Sequence, residues 1–128
     1  MTRSSAPMRL FALRGATTVD ANDREKILAA TEELLREILE RNALSTEDVV
    51  SCIFSMTEDL DAEFPAVAAR TLGFNQVPLL CTREIPVPGS LPQVIRILMH
   101  FHADPAHETK HVYLREAAKL RADLSGAQ

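Results

Sequence analysis

Hydrophobic residues recur along this chain in two periods, and the change from one to the other marks out its elements. From Met8 to Arg14 (MRLFALR) the chain reads as a strand, expected to end at Gly15 and the polar pair Thr17 and Thr18. Gly15 suits a place where the backbone turns or comes close to another element. Then Ile27, Leu28, Leu34, Leu35, Ile38 and Leu39 follow the three-to-four-residue spacing of one helical face, with Glu32, Glu33, Arg36, Glu37 and Glu40 mainly opposite. Asn22 with Glu25 three residues on has the form of a capping box, and Asn42 fits a C-terminal stop. A long core-covering helix over 22–41 is therefore predicted.

After a turn at Ser45–Asp48 the period returns to two. VVSCIFSM reads as a strand with Val50, Cys52, Phe54 and Met56 on one face. Pro65 suits the first turn of a short helix and Gly73 its end. QVPLLC (76–81) is a third strand, with Pro78 implying an edge or a bulge. A proline-rich loop, IPVPGSLP (85–92), precedes VIRILMHFH (94–102), whose Ile95, Ile97, Met99 and Phe101 form a wholly apolar face. The other face carries Val94, Arg96, Leu98, His100 and His102. An arginine within so apolar a strand is costly without a partner. Two readings fit Arg96, a strand arginine paired with a buried carboxylate or a charge held for a ligand. The last segment, HVYLREAAKLRADLS, is ambiguous between strand (VYL) and helix (REAAKL).

The order β–α–β–short α–β–β implies an α+β domain, α/β-like, built on a mixed sheet with one long covering helix. Residues 1–7 are expected to be a flexible extension and 8–128 a single domain, as 128 residues suit one core. The sheet offers more apolar face than one helix covers, so an oligomer is expected.

Composition narrows the function. A net charge of −4 without a lysine–arginine cluster lacks the basic footprint of nucleic-acid binding, so any anionic ligand must be held by locally placed cations. No stretch approaches the ~20 apolar residues of a membrane span. MTRSSAP has no secretory apolar run and there are only two cysteines, so a reducing cytoplasm is the expected location. His100 and His102 share a strand face and His107 and His111 are four apart, yet the cysteines that would support zinc lie elsewhere, so no metal is expected. Cys81 has no context that activates a nucleophile. No phosphate-cradling glycine motif is present. Read alone, Cys81 is a small core residue, Tyr113 packing, and Arg14 and Arg121 surface charges.

Several segments in order carry a more specific signal. LRGATTV (13–19), TEDLDAEFPAVAAR (57–70), VPLLCTREIPV (77–87), RILM (96–99) and HVYLREAAKLRADLS (111–125) together resemble the AroH-type chorismate mutases over residues 8–125. The resemblance implies a homotrimer of pseudo-α/β-barrel shape with sites at subunit interfaces. It implies the Claisen rearrangement of chorismate to prephenate, in the biosynthesis of phenylalanine and tyrosine, with no cofactor or metal. Its functional positions fall on Arg14, Cys81, Glu84, Arg96 and Tyr113 of one subunit, with Leu79 and Leu80 beside them. Phe64, Ala66 and Arg70 come from the neighbour, and Leu120 and Arg121 lie near the mouth. Two positions depart from the pattern: Val67 stands where a lysine lines the entrance, and Leu80 replaces a smaller polar residue.

The implied chemistry suits these residue types. Chorismate carries two carboxylates, and its breaking ether oxygen gains negative charge while no proton moves. The needs are a folded conformer and a cation at that oxygen. Arg96 is expected to supply the cation, Arg14 to grip a carboxylate with Tyr113, and Glu84 with Cys81 to meet the ring hydroxyl. Glu84 is expected as a fixed charge rather than a general base; Phe64 and Ala66 form an apolar wall. The alternative is a trimeric, non-catalytic binding or regulatory protein for a small dicarboxylate, which would bind without turnover.

Overall fold

The two-residue alternation becomes a five-stranded mixed sheet. In the computed structural model, which describes residues 7–120, the strands are β1 (Arg9–Thr18), β2 (Val49–Met56), β3 (Leu79–Arg83), β4 (Val94–Ala103) and β5 (Val112–Tyr113). They are ordered β3-β2-β4-β1-β5. Central β4 is antiparallel to β1 and β2; the edge strands β3 and β5 run parallel to β2 and β1. Helices α1 (Arg24–Arg41) and α2 (Ala66–Thr71) lie on one face, as the α+β reading expects. The expected extension lies, apart from Pro7, outside the described residues.

Helix α1 buries the stripe that its spacing predicts. Ile27, Leu34, Leu35 and Ile38 are fully buried, Leu28 and Leu39 half-buried. Leu34, Leu35 and Ile38 share one core with Leu13, Phe54, Ile97, Met99 and Phe101 from the sheet. Each such side chain stabilises the fold by ~1.5–3 kcal/mol. Gly15 does not end β1, which continues to Thr18. Its role is close approach: a Cβ there would lie 2.7 Å from Ile38 Cδ1 and 3.3 Å from Leu34 Cδ1.

Three local expectations are corrected. The cap of α1 is Asp23, whose carboxylate accepts from Lys26 N–H at 3.1 Å. Asn22 is engaged elsewhere, its Oδ1 accepting from the backbone N–H groups of Asp61 and Ala62. A bulge between Val49 and Ser51 turns Val49 into the core and Val50 outward, against the expected alternation. The third strand starts after Pro78, which lacks an N–H; its carbonyl accepts from Cys52 N–H at the start of the β2–β3 ladder. At the C-terminal end the ambiguity resolves as strand for Val112–Tyr113 and a 3₁₀ turn over Arg115–Ala117.

Candidate active site

Strand registers set one row of side chains straight across the face that α1 leaves uncovered: Thr82 on β3, Ser55 on β2, Arg96 on β4, Ala16 on β1 and Tyr113 on β5. Arg14 pairs with Leu98, two residues along β4 from Arg96. The two arginines are therefore diagonal neighbours on adjacent strands, about 7–8 Å apart at the backbone. Between Arg96 and Tyr113 the row holds only the methyl of Ala16, which is buried in a small cluster with Val94 and Ala117. Leu98 and Ile53 form a half-buried apolar patch beside the row.

Glu84 joins the row from the end of β3. Its backbone N–H donates to the Met56 carbonyl at 2.9 Å, continuing the ladder by one step. The Ser55 hydroxyl donates to Glu84 Oε2, and Glu84 Oε1 lies 3.5 Å from Arg96 Nε. The pair is anchored at its acidic end: the Glu84 side chain is 23% exposed, that of Arg96 42%. Arg96 Nε is nevertheless buried and makes no hydrogen bond. Arg96 Nε thus faces the Glu84 carboxylate as an ion pair without a hydrogen bond and keeps its capacity to donate to another acceptor.

The remaining positions divide. Arg14 is half-buried, and its backbone N–H donates to His111 Nδ1 at 3.0 Å. Leu80 is 59% exposed on the open face. Leu79 and the Cys81 side chain pack against the helix-covered core. Because Cys52 N–H bonds the Pro78 carbonyl and Glu84 N–H bonds Met56, the alternation of the ladder points Cys81 N–H outward at the open edge. Leu120 packs with Ala16, Val94, Ala117 and Tyr113. Arg121 lies outside the described residues.

Phe64, Ala66 and Arg70 do not join this row within one chain. Ala66 is buried in the core and Arg70 is exposed on α2, where Val67 is half-buried. Phe64 is 65% exposed, bordering a cleft of about 450 Å³ with Pro65, Cys81 and Arg83. Its loop is pinned. Arg83 donates to the carbonyls of Thr57 and Leu60, both at 2.8 Å, and Arg24 pairs with Glu63 at 2.9 Å. The Phe64 N–H first, and Arg24 second, hold the Glu63 carboxyl below its usual range. The Phe64 ring is thus held outward on a clamped loop.

The histidines are dispersed. His100 Nδ1 meets Ser51 Oγ at 3.1 Å, and His107 packs against the rings of Phe11 and Phe101. Among the described residues no three His, Cys, Asp or Glu side chains converge as metal ligands would. No described helix is long and apolar enough to cross a membrane.

Sequence reasoning did not single out Ser55 or Ala16. The signal for Ser55 was present in β2, where Ser51 and Ser55 interrupt an apolar strand on the side opposite Cys52 and Phe54. Ala16 carried no signal, because its smallness matters only beside Arg96 and Tyr113.

Comparison with known proteins gives the chain a family. The family described as chorismate mutase type I matches residues 10–124. Chorismate mutase AroH of Thermus thermophilus is 52% identical over 118 residues, 91% of this chain and 97% of that protein. Chorismate mutase AroH of Bacillus subtilis is 44% identical over 120 residues, 92% of this chain and 94% of that protein. Among solved structures, a chorismate mutase from Clostridium thermocellum superposes with a TM-score of 0.80 at 46% identity, covering 85% of this chain and 98% of that one.

Proposed function

This chain belongs to the chorismate mutase type I family; it is an isomerase that converts chorismate to prephenate, and we propose that it does so on the Arg96 row of its uncovered sheet face. The reaction is intramolecular: the ether C–O bond breaks as a C–C bond forms between the enolpyruvyl group and the ring. No group leaves and no proton transfers, so the residues act by holding a folded conformer and by charge.

Arg96 stands at the ether oxygen as it becomes anionic. Arg14 grips the side-chain carboxylate through its forked donors, and Tyr113 donates to the same group. Glu84, fixed by Ser55, meets the ring hydroxyl together with Cys81 and complements the positive charge developing on the ring. The observation that carries this reading is the Arg96 guanidinium on the central strand, its buried Nε without a hydrogen bond, beside a Glu84 that Ser55 anchors.

One chain supplies the charged row without an apolar wall. Phe64, Ala66 and Arg70 of a neighbouring copy complete it in a homotrimer of barrel shape, with Leu120 and Arg121 at the mouth. The exposed Phe64 and Leu80 and the half-buried Leu98 and Ile53 support that assembly. Two unpaired cysteines, one of them buried, suit a reducing cytoplasm.

Purified protein incubated with chorismate, without added metal or cofactor, is expected to consume the substrate's diene absorbance and yield prephenate. Folded protein that binds chorismate without forming prephenate would instead select the non-catalytic reading.

A further inference from the structure

Strand β5 is only two residues long, yet it carries Tyr113 into the site. A two-residue parallel pairing offers too few backbone hydrogen bonds to fix its own register. Further bonds, most of them to side chains, reinforce both ends. Arg14 N–H donates not to a carbonyl but to His111 Nδ1, at 3.0 Å. At the other end Leu114 N–H donates to the Ala16 carbonyl at 2.9 Å and Glu116 N–H to Thr18 Oγ1 at 3.3 Å. Just before His111, buried Asn42 holds both backbone groups of Lys110, accepting from its N–H at 2.8 Å and donating to its carbonyl at 2.9 Å.

The geometry points to His111 as a positioning residue for the reaction: through Nδ1 it locks the Arg14 backbone to the segment that bears Tyr113, fixing the two groups that hold one carboxylate relative to each other. This rests on the proposed roles of Arg14 and Tyr113. As an acceptor, Nδ1 is unprotonated and the ring proton sits on Nε2. The contact ties neighbouring strands through a side-chain acceptor for the Arg14 N–H, so a small shift there would spread the two carboxylate donors.

The carboxylate is present in substrate and transition state alike, so looser holding raises KM more than it lowers kcat. His111→Leu removes the acceptor and should raise KM about three- to tenfold, the range of one lost hydrogen bond. His111→Asn keeps an oxygen where Nδ1 was and should restore KM to near the parent's. His111→Gln, whose acceptor lies one methylene too far, should behave like the leucine variant. A merely structural histidine would lower the melting temperature and the yield of active protein in all three, without this ordering of KM. In an Arg14→Ala background, itself expected to raise KM strongly, His111→Leu should add little.

An unchanged KM in His111→Leu, or an asparagine variant as impaired as it, overturns the inference. If the leucine variant does not fold, the asparagine–glutamine comparison decides it alone. A parent-like KM in Arg14→Ala would instead overturn the underlying reading of Arg14.

Discussion

Arg96→Ala is the perturbation that most directly tests the electrostatic account. Two unit charges about 4 Å apart at an effective dielectric of about 20 interact by ~4 kcal/mol. The ether oxygen carries only part of a charge in the transition state, so about half, ~2 kcal/mol, is available, which is about 30-fold in rate. The structure adds a second contribution of the same sign. With Arg96 gone, Glu84 stays fixed by Ser55 as an unbalanced carboxylate beside a dianionic substrate. The total loss should therefore lie between about 30-fold and 10³-fold, the scale of removing one oxyanion-hole donor.

Folding should scarcely respond. The Arg96–Glu84 contact is partly exposed and lacks hydrogen-bond geometry, so its removal costs at most ~1 kcal/mol. The assay is kcat from the decay of chorismate absorbance, beside a thermal melt and a mass measurement of the assembly. A well-folded Arg96→Ala enzyme with kcat within about threefold of the parent would refute the reasoning, since ~0.7 kcal/mol is too small for a cation at the reacting oxygen.

Three further outcomes follow from the same geometry. Glu84→Gln keeps an acceptor for Ser55 but removes the charge, so kcat should fall by about tenfold, and the parent should show no solvent deuterium isotope effect on kcat; a pronounced effect would mean that Glu84 moves a proton. Gly15→Ala forces a methyl into Ile38 and Leu34, so urea unfolding should show a loss of ~1–3 kcal/mol; unchanged stability would mean that α1 yields there at little cost. Burial pushes the Cys52 thiol up, so in native protein at pH 8 peptide mapping should find Cys52 unlabelled by a thiol reagent until the chain unfolds; rapid native labelling would contradict its place in the core.

Much of this was legible in the chain because periodicity reports burial directly. The stripe from Ile27 to Leu39 specified α1, and the run from Ile95 to Phe101 specified the inner face of β4, as either element is stable only with that side covered. The order of segments resembling the AroH-type enzymes marks Arg14, Glu84, Arg96 and Tyr113 as candidates from the chain alone. Arg96 stood out by itself, since a charge inside an apolar strand needs a reason. What periodicity missed lay where a single residue shifts the pattern. One bulged residue exchanged the faces of Val49 and Val50, and the cap of α1 fell on Asp23 because Asn22 bonds a loop nearly forty residues away.

The sequence by itself determined which stretches are strand or helix, which sides of them seek the core, and which side chains are chemically equipped for a dianionic substrate. Tertiary structure decided how they meet. Strand order brought β1, β4 and β5 side by side, register placed Ala16 between Arg96 and Tyr113, and Ser55 and His111 found hydrogen-bond partners 29 and 97 residues distant. Those relations depend on pairing between distant segments, and no local preference encodes a distance between residues that touch only after the chain has folded.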